Sequence, residues 1–556
     1  MHAISAKARF AFGAVAASAL AVALAWTTAS QAAVETPTAP VATNSGTIVG
    51  MVLPSKVQAF LGVPFAAPPV GDLRWKPPQP ISWKGTYNAD RKMSECFQVL
   101  RPHNINHYFG EEPISEDCLY MNIWAPPSAK AGDKLPVVVF IYGGGNTIGS
   151  AGMASYGGET MAARGAVFVN FNYRLGILGF MAHPELTKEQ GGHSGNYAYL
   201  DQNAALKWVN ANIDKFGGDP SKVVIMGQSA GAGGVSAQVH SPLSKGLFRG
   251  AVMSSGCGWG STTGTSLADG EKAGLEVQKR LGVMNLADMR NVPADRILAI
   301  QSENQVGVSV QGVRTGPVID GYFTTRPQLE AMKARETSDV PIIASFNRDE
   351  AMSPLAQAKS VAEYRDIAGK MYGAKAAEFL RLYPVSADSE IAAMAGKAAR
   401  ENGLEKNARN CAMLMTQYNK SKTFIDMYSR KHPYTPGVKL ADQNVETVGA
   451  YHTADIPYWF GSQDAFNMFR PTRNWTPWDR ELSERMSAML IAFANTGDPS
   501  TAKDKWPAWS ARGEAKMEFG EKVAMTPLNV KGISWLAANP AQPVQVAAPA
   551  RTGPRD

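Results

Sequence analysis

One serine of this sequence, Ser229, lies in a setting that favours nucleophilic chemistry. It is the centre of the pentapeptide Gly-Gln-Ser-Ala-Gly (227–231), which directly follows the apolar run 223–226. Where such a motif joins a buried strand to a helix, the turn is so tight that only glycine fits at the flanking positions, and the serine oxygen stands clear of the backbone. The helix N-terminus adds free N–H groups and partial positive charge. The pattern predicts a serine nucleophile.

A run of three glycines, 143–145, ends another apolar run, 137–142. Alone, these glycines could form a flexible turn. Together with the serine turn, they predict the second wall of an oxyanion hole, in which the N–H groups of Gly144 and Gly145 join that of Ala230. The sequence has no His-Glu-x-x-His, Walker or acidic calcium-loop motif, so we expect neither a metal nor another cofactor.

The base is expected to follow the nucleophile in the chain. The serine turn is typical of the α/β-hydrolase fold, in which the order is serine, acid, histidine. His240 is too close to Ser229 to leave room for an acid on another strand, which leaves His432 and His452. His432 follows two basic residues, and we interpret it as solvated. His452 lies in a loop followed by aromatic residues and is the predicted base.

The acid is expected after a strand between these two residues. The apolar run 341–346 predicts that strand, and its exit loop offers both Asp349 and Glu350. Either carboxylate could orient the imidazole and stabilise its protonated form. Asp320, another candidate, is interpreted as a turn residue.

The surrounding elements predict an α/β protein. Short apolar runs, among them 137–141, 167–171, 223–226 and 423–428, alternate with amphipathic segments such as 200–216. This alternation indicates a large, mostly parallel central sheet flanked by helices. We expect one domain over 33–536, with helical cap insertions near 260–335 and 355–420. The Ala/Pro/Gln-rich stretch 537–556 predicts a disordered tail.

The first 32 residues have the layout of a secretory signal peptide. Two basic residues precede the apolar run 10–26, and small residues follow it. A membrane anchor is the alternative, but the run is short for a span. We therefore expect a periplasmic or secreted protein with no membrane attachment after cleavage. Without residues 1–32, the charge excess is 53 − 48 = +5, spread without a basic cluster, so nucleic acid is not an expected partner.

Further motifs extend over nearly the whole chain: Pro-Phe-Ala (64–66), Leu-Arg-Trp (73–75), Ser-Glu-Asp-Cys-Leu (115–119), Asn-Tyr-Arg (172–174), Phe-Gly-Gly-Asp-Pro (216–220) and Phe-Ala-Asn-Thr-Gly-Asp-Pro (493–499). With them the sequence resembles the type-B carboxylesterase family, which includes the cholinesterases, as a bacterial secreted member. The resemblance implies an α/β-hydrolase fold and ester hydrolysis, and it selects Glu350 as the acid. It also implies three structural features: a Cys96–Cys118 disulfide, an Arg74–Glu116 ion pair, and a hydrogen bond from Ser255 to the acid.

The sequence also departs from this family. Cholinesterases carry glutamate before the nucleophile, whereas this chain has Gln228, and no tryptophan lies between Cys96 and Cys118. A choline ester would therefore lack its carboxylate and its best cation–π partner. Asn146 replaces a phenylalanine found in many relatives, and Trp259 is expected to line the pocket with Asn146 and Gln228.

The expected partner is a small-molecule ester, and the expected state is a monomer or weak homo-oligomer. A non-catalytic adhesion or binding module and a serine amidase or peptidase on the same fold remain alternatives. Whether Cys257 and Cys411 pair is left open by the sequence.

Overall fold

The computed structural model describes residues 36–106, 112–259, 264–303 and 311–544. The predicted signal peptide and the end of the predicted tail lie outside these residues. Among the residues described, no helix is both long enough and apolar enough to cross a membrane.

A large mixed sheet forms the centre of the described structure. The strands are β1 (Thr36–Pro37), β2 (Val41–Ala42), β3 (Thr47–Val49), β4 (Met51–Val52), β5 (Gln58–Pro64), β6 (Thr86–Asn88), β7 (Glu95–Cys96), β8 (Ile114–Ser115), β9 (Tyr120–Ala125), β10 (Leu135–Ile141), β11 (Val167–Phe171), β12 (Gly218–Gln228), β13 (Gly250–Ser254), β14 (Ile342–Asn347), β15 (Thr423–Tyr428), β16 (Ala515–Phe519) and β17 (Val523–Pro527). Twelve of them form the sheet in the order β1-β4-β5-β9-β11-β10-β12-β13-β14-β15-β16-β17.

The middle of this sheet is parallel. All neighbouring pairs from β11 to β16 in the sheet order are parallel, and the pairs outside them are antiparallel. The central strands are buried along almost their whole length, β12 from Val223 onward, which is why they appear in the sequence as unbroken apolar runs. The predicted fold, a mostly parallel sheet with flanking helices, is confirmed.

Helices cover both faces of the sheet and form the insertions. They are Glu159–Ala163, Gly176–Phe180, Pro184–Glu189, Tyr197–Asn212, Ala230–His240, Leu267–Leu281, Leu286–Arg290, Ala294–Ala299, Gln328–Lys333, Val361–Tyr372, Ala376–Leu382, Ile391–Asn402, Leu404–Tyr418, Ile456–Phe460, Pro477–Thr496 and Val530–Ala538. The helical pattern predicted at 200–216 is an α-helix that begins at Tyr197, followed by the 3-10 turn Ile213–Phe216 and ended by Gly217 in the left-handed conformation.

Each predicted cap region contains several helices, and their apolar side chains form a hydrophobic cluster apart from the main core. In the first region, Val277, Leu281 and Ile297 pack with Trp75. In the second, Tyr364, Phe379 and Ile391 form a separate cluster. The first insertion thus packs on the N-terminal part of the chain. The second combines this separate cluster with the helix Leu404–Tyr418, whose Cys411 and Met415 belong to the main core.

The start of the predicted disordered tail is ordered. The last helix, Val530–Ala538, crosses the predicted boundary at 536, and the Gln542 N–H donates to the Met371 carbonyl at 2.8 Å. Ala541 and Val544 pack against the cluster of the second insertion. The composition of the stretch did not predict this contact, because a few apolar residues are enough to order an Ala/Pro-rich segment that lies beside an apolar surface.

Covalent and ionic links tie the loops together. Disulfides join Cys96 to Cys118 and Cys257 to Cys411, the pair that the sequence left open. The buried Arg74 guanidinium donates to both oxygens of Glu116, at 2.7 and 2.5 Å. Its remaining Nη1 donates to main-chain carbonyls at 289, 290 and 292, so this ion pair anchors the first insertion.

Candidate active site

Ser229 lies in a tight turn between β12 and the helix Ala230–His240. Its backbone has φ 56° and ψ −122°, a conformation that costs a non-glycine residue stability. A Cβ at Gly231 would lie 2.1 Å from the Ile141 carbonyl oxygen, and one at Gly227 would lie 2.3 Å from the Gly231 oxygen. Glycine is therefore obligatory at both positions, and the turn holds the serine hydroxyl away from its own backbone.

The glycine loop that follows β10 packs directly on this turn. A Cβ at Gly143 would lie 2.4 Å from the Gln228 carbonyl oxygen and 3.0 Å from the Ser229 Cβ. Gly144 and Gly145 both have positive φ, at 111° and 62°. Within the residues described, neither of their N–H groups donates a hydrogen bond, so both are available to a ligand beside Ser229.

Glu350 and His452 meet at the carboxyl end of the sheet. A hydrogen bond joins His452 Nδ1 to Glu350 Oε2. The other carboxylate oxygen, Oε1, accepts hydrogen bonds from Ser255 Oγ at 2.8 Å and from the Asn347 N–H at 2.7 Å. The Glu350 side chain is only 1% exposed, whereas that of His452 is 46% exposed. The carboxylate is thus fixed and buried, whereas about half of the imidazole surface is exposed.

Asp349, the neighbouring carboxylate, has a different position. Its Oδ2 accepts a hydrogen bond from the Ala450 N–H at 2.8 Å, and its own N–H donates to the Ala450 carbonyl at 3.0 Å. Arg348 pairs with the same carboxylate at 2.8 Å. Asp349 therefore holds the loop that carries His452, while Glu350 contacts the imidazole.

The charge around His452 favours its protonated form. Burial lowers the pKa of His452, but the hydrogen bond and charge of Glu350 and the charge of Asp455 outweigh it and raise the pKa above its ordinary value. Asp455 is fully buried, with hydrogen bonds from Ser254 Oγ at 2.7 Å and from the Asn347 amide at 3.1 Å. Burial in turn raises the pKa of Asp455.

Gln228 contacts the second ring nitrogen of His452, Nε2, which does not bind Glu350. The amide Nε2 of Gln228 lies 3.1 Å from His452 Nε2, and the Gln228 side chain is buried. Within the described structure, Ser229 Oγ and His452 Nε2 are not hydrogen-bonded to each other. Catalytic hydrogen bonds are often long before substrate binds and tighten in the complex. A rotation of the Gln228 amide would free Nε2 for the serine proton.

We expect Gln228→Glu to move the acid limb of the kcat/KM profile to higher pH by about one unit. A carboxylate about 3 Å from the imidazole favours the protonated ring, which cannot accept the serine proton, so activity is lost at a higher pH. The measurement is kcat/KM for an ester as a function of pH. Gln79→Glu, at an exposed position, is the matched control and leaves the limb in place. An acid limb that stays at the wild-type pH in the Gln228→Glu variant would contradict the contact between Gln228 and His452.

The other predicted pocket residues separate in the structure. Asn146, with φ 64°, lines a cavity beside Gly145. Trp259 is 4% exposed and lies elsewhere, with its indole N–H donating to Ser236 Oγ at 2.7 Å. Trp259 is therefore packed against the helix Ala230–His240 rather than in the cavity of Asn146. Asp320 accepts two main-chain hydrogen bonds, from residues 322 and 324, as a turn residue does.

His432 is buried, and the prediction that it is solvated is wrong. It is 1% exposed, and its Nε2 contacts the Ala454 carbonyl at 2.9 Å, beneath the loop of His452. The two basic residues that precede it in the sequence had suggested an exposed position. The Arg430 guanidinium turns to Asp479 and Glu521, so the charges lie away from the ring.

Sequence reasoning missed several residues that shape this site. Asn347 and Asp455 connect the strand ends to the histidine loop, and Ser254 joins Asp455 to β13. Two of them had a position in the sequence that could have identified them. Asn347 directly follows the predicted strand 341–346, and Asp455 lies three residues after the predicted base. Within the described residues, no cluster of three or more His, Cys, Asp or Glu side chains is arranged to hold a metal ion.

Comparison with known proteins identifies the family of the chain. The family model described as "Carboxylesterase family" matches residues 37–531. The chain is 36% identical over 496 residues to a fumonisin B1 esterase of Sphingopyxis macrogoltabida, with 86% of each protein covered. It is 31% identical over 470 residues to a para-nitrobenzyl esterase of Bacillus subtilis (strain 168), covering 82% of this chain and 89% of the relative.

Solved structures give the same result. A PNB esterase structure superimposes with a TM-score of 0.70 at 26% identity, covering 89% of this chain and 98% of that one. A structure titled thermophilic PNB esterase also has a TM-score of 0.70, at 27% identity, covering 88% of this chain and 98% of that one. The chain therefore belongs to the carboxylesterase family.

Proposed function

We propose that this protein hydrolyses carboxylic esters through an acyl-enzyme on Ser229, with His452 as general base and acid and Glu350 as the orienting carboxylate. One observation carries the proposal. The hydrogen-bonded series Ser255–Glu350–His452 ends beside the strained turn of Ser229. A strained nucleophile next to an imidazole that is itself oriented by a buried carboxylate is the arrangement that serine esterases need.

The reaction has two halves. In the first, Ser229 Oγ attacks the ester carbonyl carbon while its proton passes to His452 Nε2. The negative oxygen of the tetrahedral intermediate accepts hydrogen bonds from the N–H groups of Gly144, Gly145 and Ala230. When the ester C–O bond breaks, His452 returns the proton to the leaving alcohol. In the second half, water gives a proton to His452 and attacks the acyl carbon. His452 then returns that proton to Ser229 Oγ as the bond between Oγ and the acyl carbon breaks, which releases the acid and regenerates Ser229.

We expect the acid limb of kcat/KM to have its midpoint above pH 6.5. The pKa of His452 is raised by Glu350 and Asp455 despite burial, and only the neutral imidazole accepts the serine proton. Activity is therefore full above this pKa and is lost as the pH falls through it. Stopped assays between about pH 5 and about pH 9 measure the midpoint. Asp455→Asn removes one negative charge and is expected to move it to lower pH; a move to higher pH would contradict this account.

The function is tested with matched ester and amide substrates and a fluorophosphonate probe. Labelling of Ser229, with ester hydrolysis well above amide hydrolysis, supports the proposal. Absence of labelling and of hydrolysis in folded protein would favour the non-catalytic binding module instead. An amide preference would favour a peptidase or amidase on the same fold.

We also propose export to the periplasm or the medium, after removal of a signal peptide at 1–32. Support comes from two disulfides, which persist in oxidising compartments. The substrate would be a small ester that meets the protein there, and the protein would act as a monomer or a weak homo-oligomer. Cell fractionation with N-terminal sequencing of the mature chain, and size-exclusion chromatography, test these points.

A further inference from the structure

A polar cavity lies beside the glycines of the proposed oxyanion hole. Its volume is about 190 Å³, and Gly145 and Asn146 form one wall. The opposite wall comes from the first insertion. Most of the side chains there are polar, among them Gln301, Glu303, Arg314 and Thr315, and the apolar members are Val313 and Pro317. Pockets for small molecules are usually lined mainly by apolar side chains, so a lining with this many polar side chains is unusual.

Gln301 is the most firmly fixed side chain of the wall that the first insertion provides. This side chain is 5% exposed, and its Oε1 accepts a hydrogen bond from the Ile177 N–H at 2.9 Å. That bond fixes the orientation of the amide. A Cβ on the adjacent Gly176 would lie 1.8 Å from the same oxygen, so the position tolerates only glycine. The Gly176 N–H in turn donates to the Asn146 carbonyl at 2.7 Å, which joins the two walls.

Three polar atoms in these walls have no hydrogen-bond partner within the described structure. They are Gln301 Nε2, Thr315 Oγ1 and Asn146 Oδ1. Buried polar groups are rarely left unpaired, because each loses its hydrogen bonds to water without replacement. Since the orientation of Gln301 is fixed, its Nε2 presents two N–H donors with nothing to receive them. Three unpaired polar atoms in the walls of one cavity favour a polar ligand over an apolar one.

The charges select the kind of polar group. The Arg314 side chain is exposed at this cavity and makes no ion pair within the residues described, whereas Glu303 brings a buried carboxylate to the same lining. A ligand carboxylate would meet Glu303, and a ligand ammonium would meet Arg314. An alkyl chain would leave Gln301 and Thr315 unpaired. A hydroxyl group both donates and accepts, and so it satisfies every one of these partners.

We propose that this cavity binds a polyhydroxylated part of the ester, such as a glycerol or hydroxylated-ring moiety. The inference rests on the proposed function, because the cavity opens beside the oxyanion glycines of that reaction. It deepens the function by naming the substrate class: esters in which the acyl or the alcohol half carries several hydroxyl groups.

Two matched substrate pairs test the proposal in the wild-type protein. Glycerol monobutyrate against propyl butyrate varies the alcohol half. Methyl quinate against methyl cyclohexanecarboxylate varies the acyl half. We expect kcat/KM to favour the hydroxylated member by about tenfold in at least one pair, because sites built for hydroxyl groups discriminate against analogues that lack them. No such preference in either pair, or a stronger preference for monomethyl succinate, would overturn the inference.

A variant isolates the contribution of the cavity. Thr315→Val keeps the shape of the side chain and removes its unpartnered hydroxyl, so the ratio of hydroxylated to alkyl ester should fall by about three- to tenfold. Thr526→Val is the matched control, because Thr526 also has a buried hydroxyl without a partner but lies on the edge strand β17. The control should leave the ratio unchanged. An equal loss on both esters in the Thr315 variant would indicate a structural role and would contradict the proposal.

A binding measurement separates this inference from the proposed function. In Ser229→Ala, calorimetry compares the affinity for the hydroxylated ester with that for its alkyl partner, with and without Thr315→Val. Tighter binding of the hydroxylated ester that depends on Thr315 supports the cavity assignment, even if turnover is absent. Propyl butyrate hydrolysis that depends on Ser229, without any hydroxyl preference in rate or binding, would sustain the proposed function and refute this inference alone.

Discussion

Ser229→Ala is expected to lower kcat/KM for esters by about 10⁴- to 10⁶-fold, because the variant lacks the oxygen that forms the proposed acyl-enzyme. Residual hydrolysis would come from the oxyanion N–H groups, which still stabilise attack by water. The fold should be unaffected. Ser229 Oγ has no hydrogen-bond partner within the described structure, and alanine meets the same backbone strain at φ 56°.

Initial rates with a chromogenic ester, together with a thermal melt of each protein, measure this result. Ser55→Ala, at an exposed position, is the control and should match the wild type in both assays. A Ser229 variant that retains more than about a hundredth of the activity would remove this residue from the reaction.

The second large effect is expected at the acid. Glu350→Gln should lower kcat/KM by about 10³- to 10⁴-fold, since an amide that donates to Nδ1 would hold the imidazole in the tautomer that cannot accept the serine proton. The amide oxygen can still accept the hydrogen bonds of Ser255 and Asn347, so the loop keeps its position. Activity, rather than stability, is the quantity that should change.

Asp349→Asn is the matched control for this experiment. Its carboxylate binds the Ala450 N–H instead of the imidazole, and an asparagine oxygen can still accept that hydrogen bond. We expect a loss of no more than about tenfold, accompanied by a lower melting temperature as the Arg348 contact weakens. Comparable losses in the two variants, or a greater loss at Asp349, would show that the acid had been wrongly assigned.

The sequence predicted the elements of this site better than its contacts. Strand β11 and strand β15 have the bounds of their apolar runs, because strands buried on both faces leave an unbroken pattern. The choice between Asp349 and Glu350 could not be made from pattern alone. Adjacent residues after a strand point in different directions, and the direction depends on the loop. The family resemblance, not the spacing, selected Glu350.

Three other features depend on tertiary packing, which a local sequence pattern does not show. His432 has basic neighbours in the chain, but its burial is decided by the aromatic and arginine side chains around it. The contact between Gln228 and His452 joins residues 224 positions apart through one side-chain rotamer. The polar cavity likewise depends on Asn146 and Gln301, which the chain brings together only through Gly176.

The disulfide between Cys257 and Cys411 links the segment that follows β13 to the second insertion. Cys257 lies two residues beyond Ser255, which holds Glu350, and Cys411 lies in the helix Leu404–Tyr418 of the second insertion. Closing a loop of 154 residues restricts the unfolded chain by about 5 kcal/mol in the chain-entropy account. The first insertion and Glu350 both lie inside this loop. Loss of the disulfide should therefore destabilise the cavity wall that carries Gln301 and Thr315 together with the buried carboxylate of Glu350, rather than either one alone.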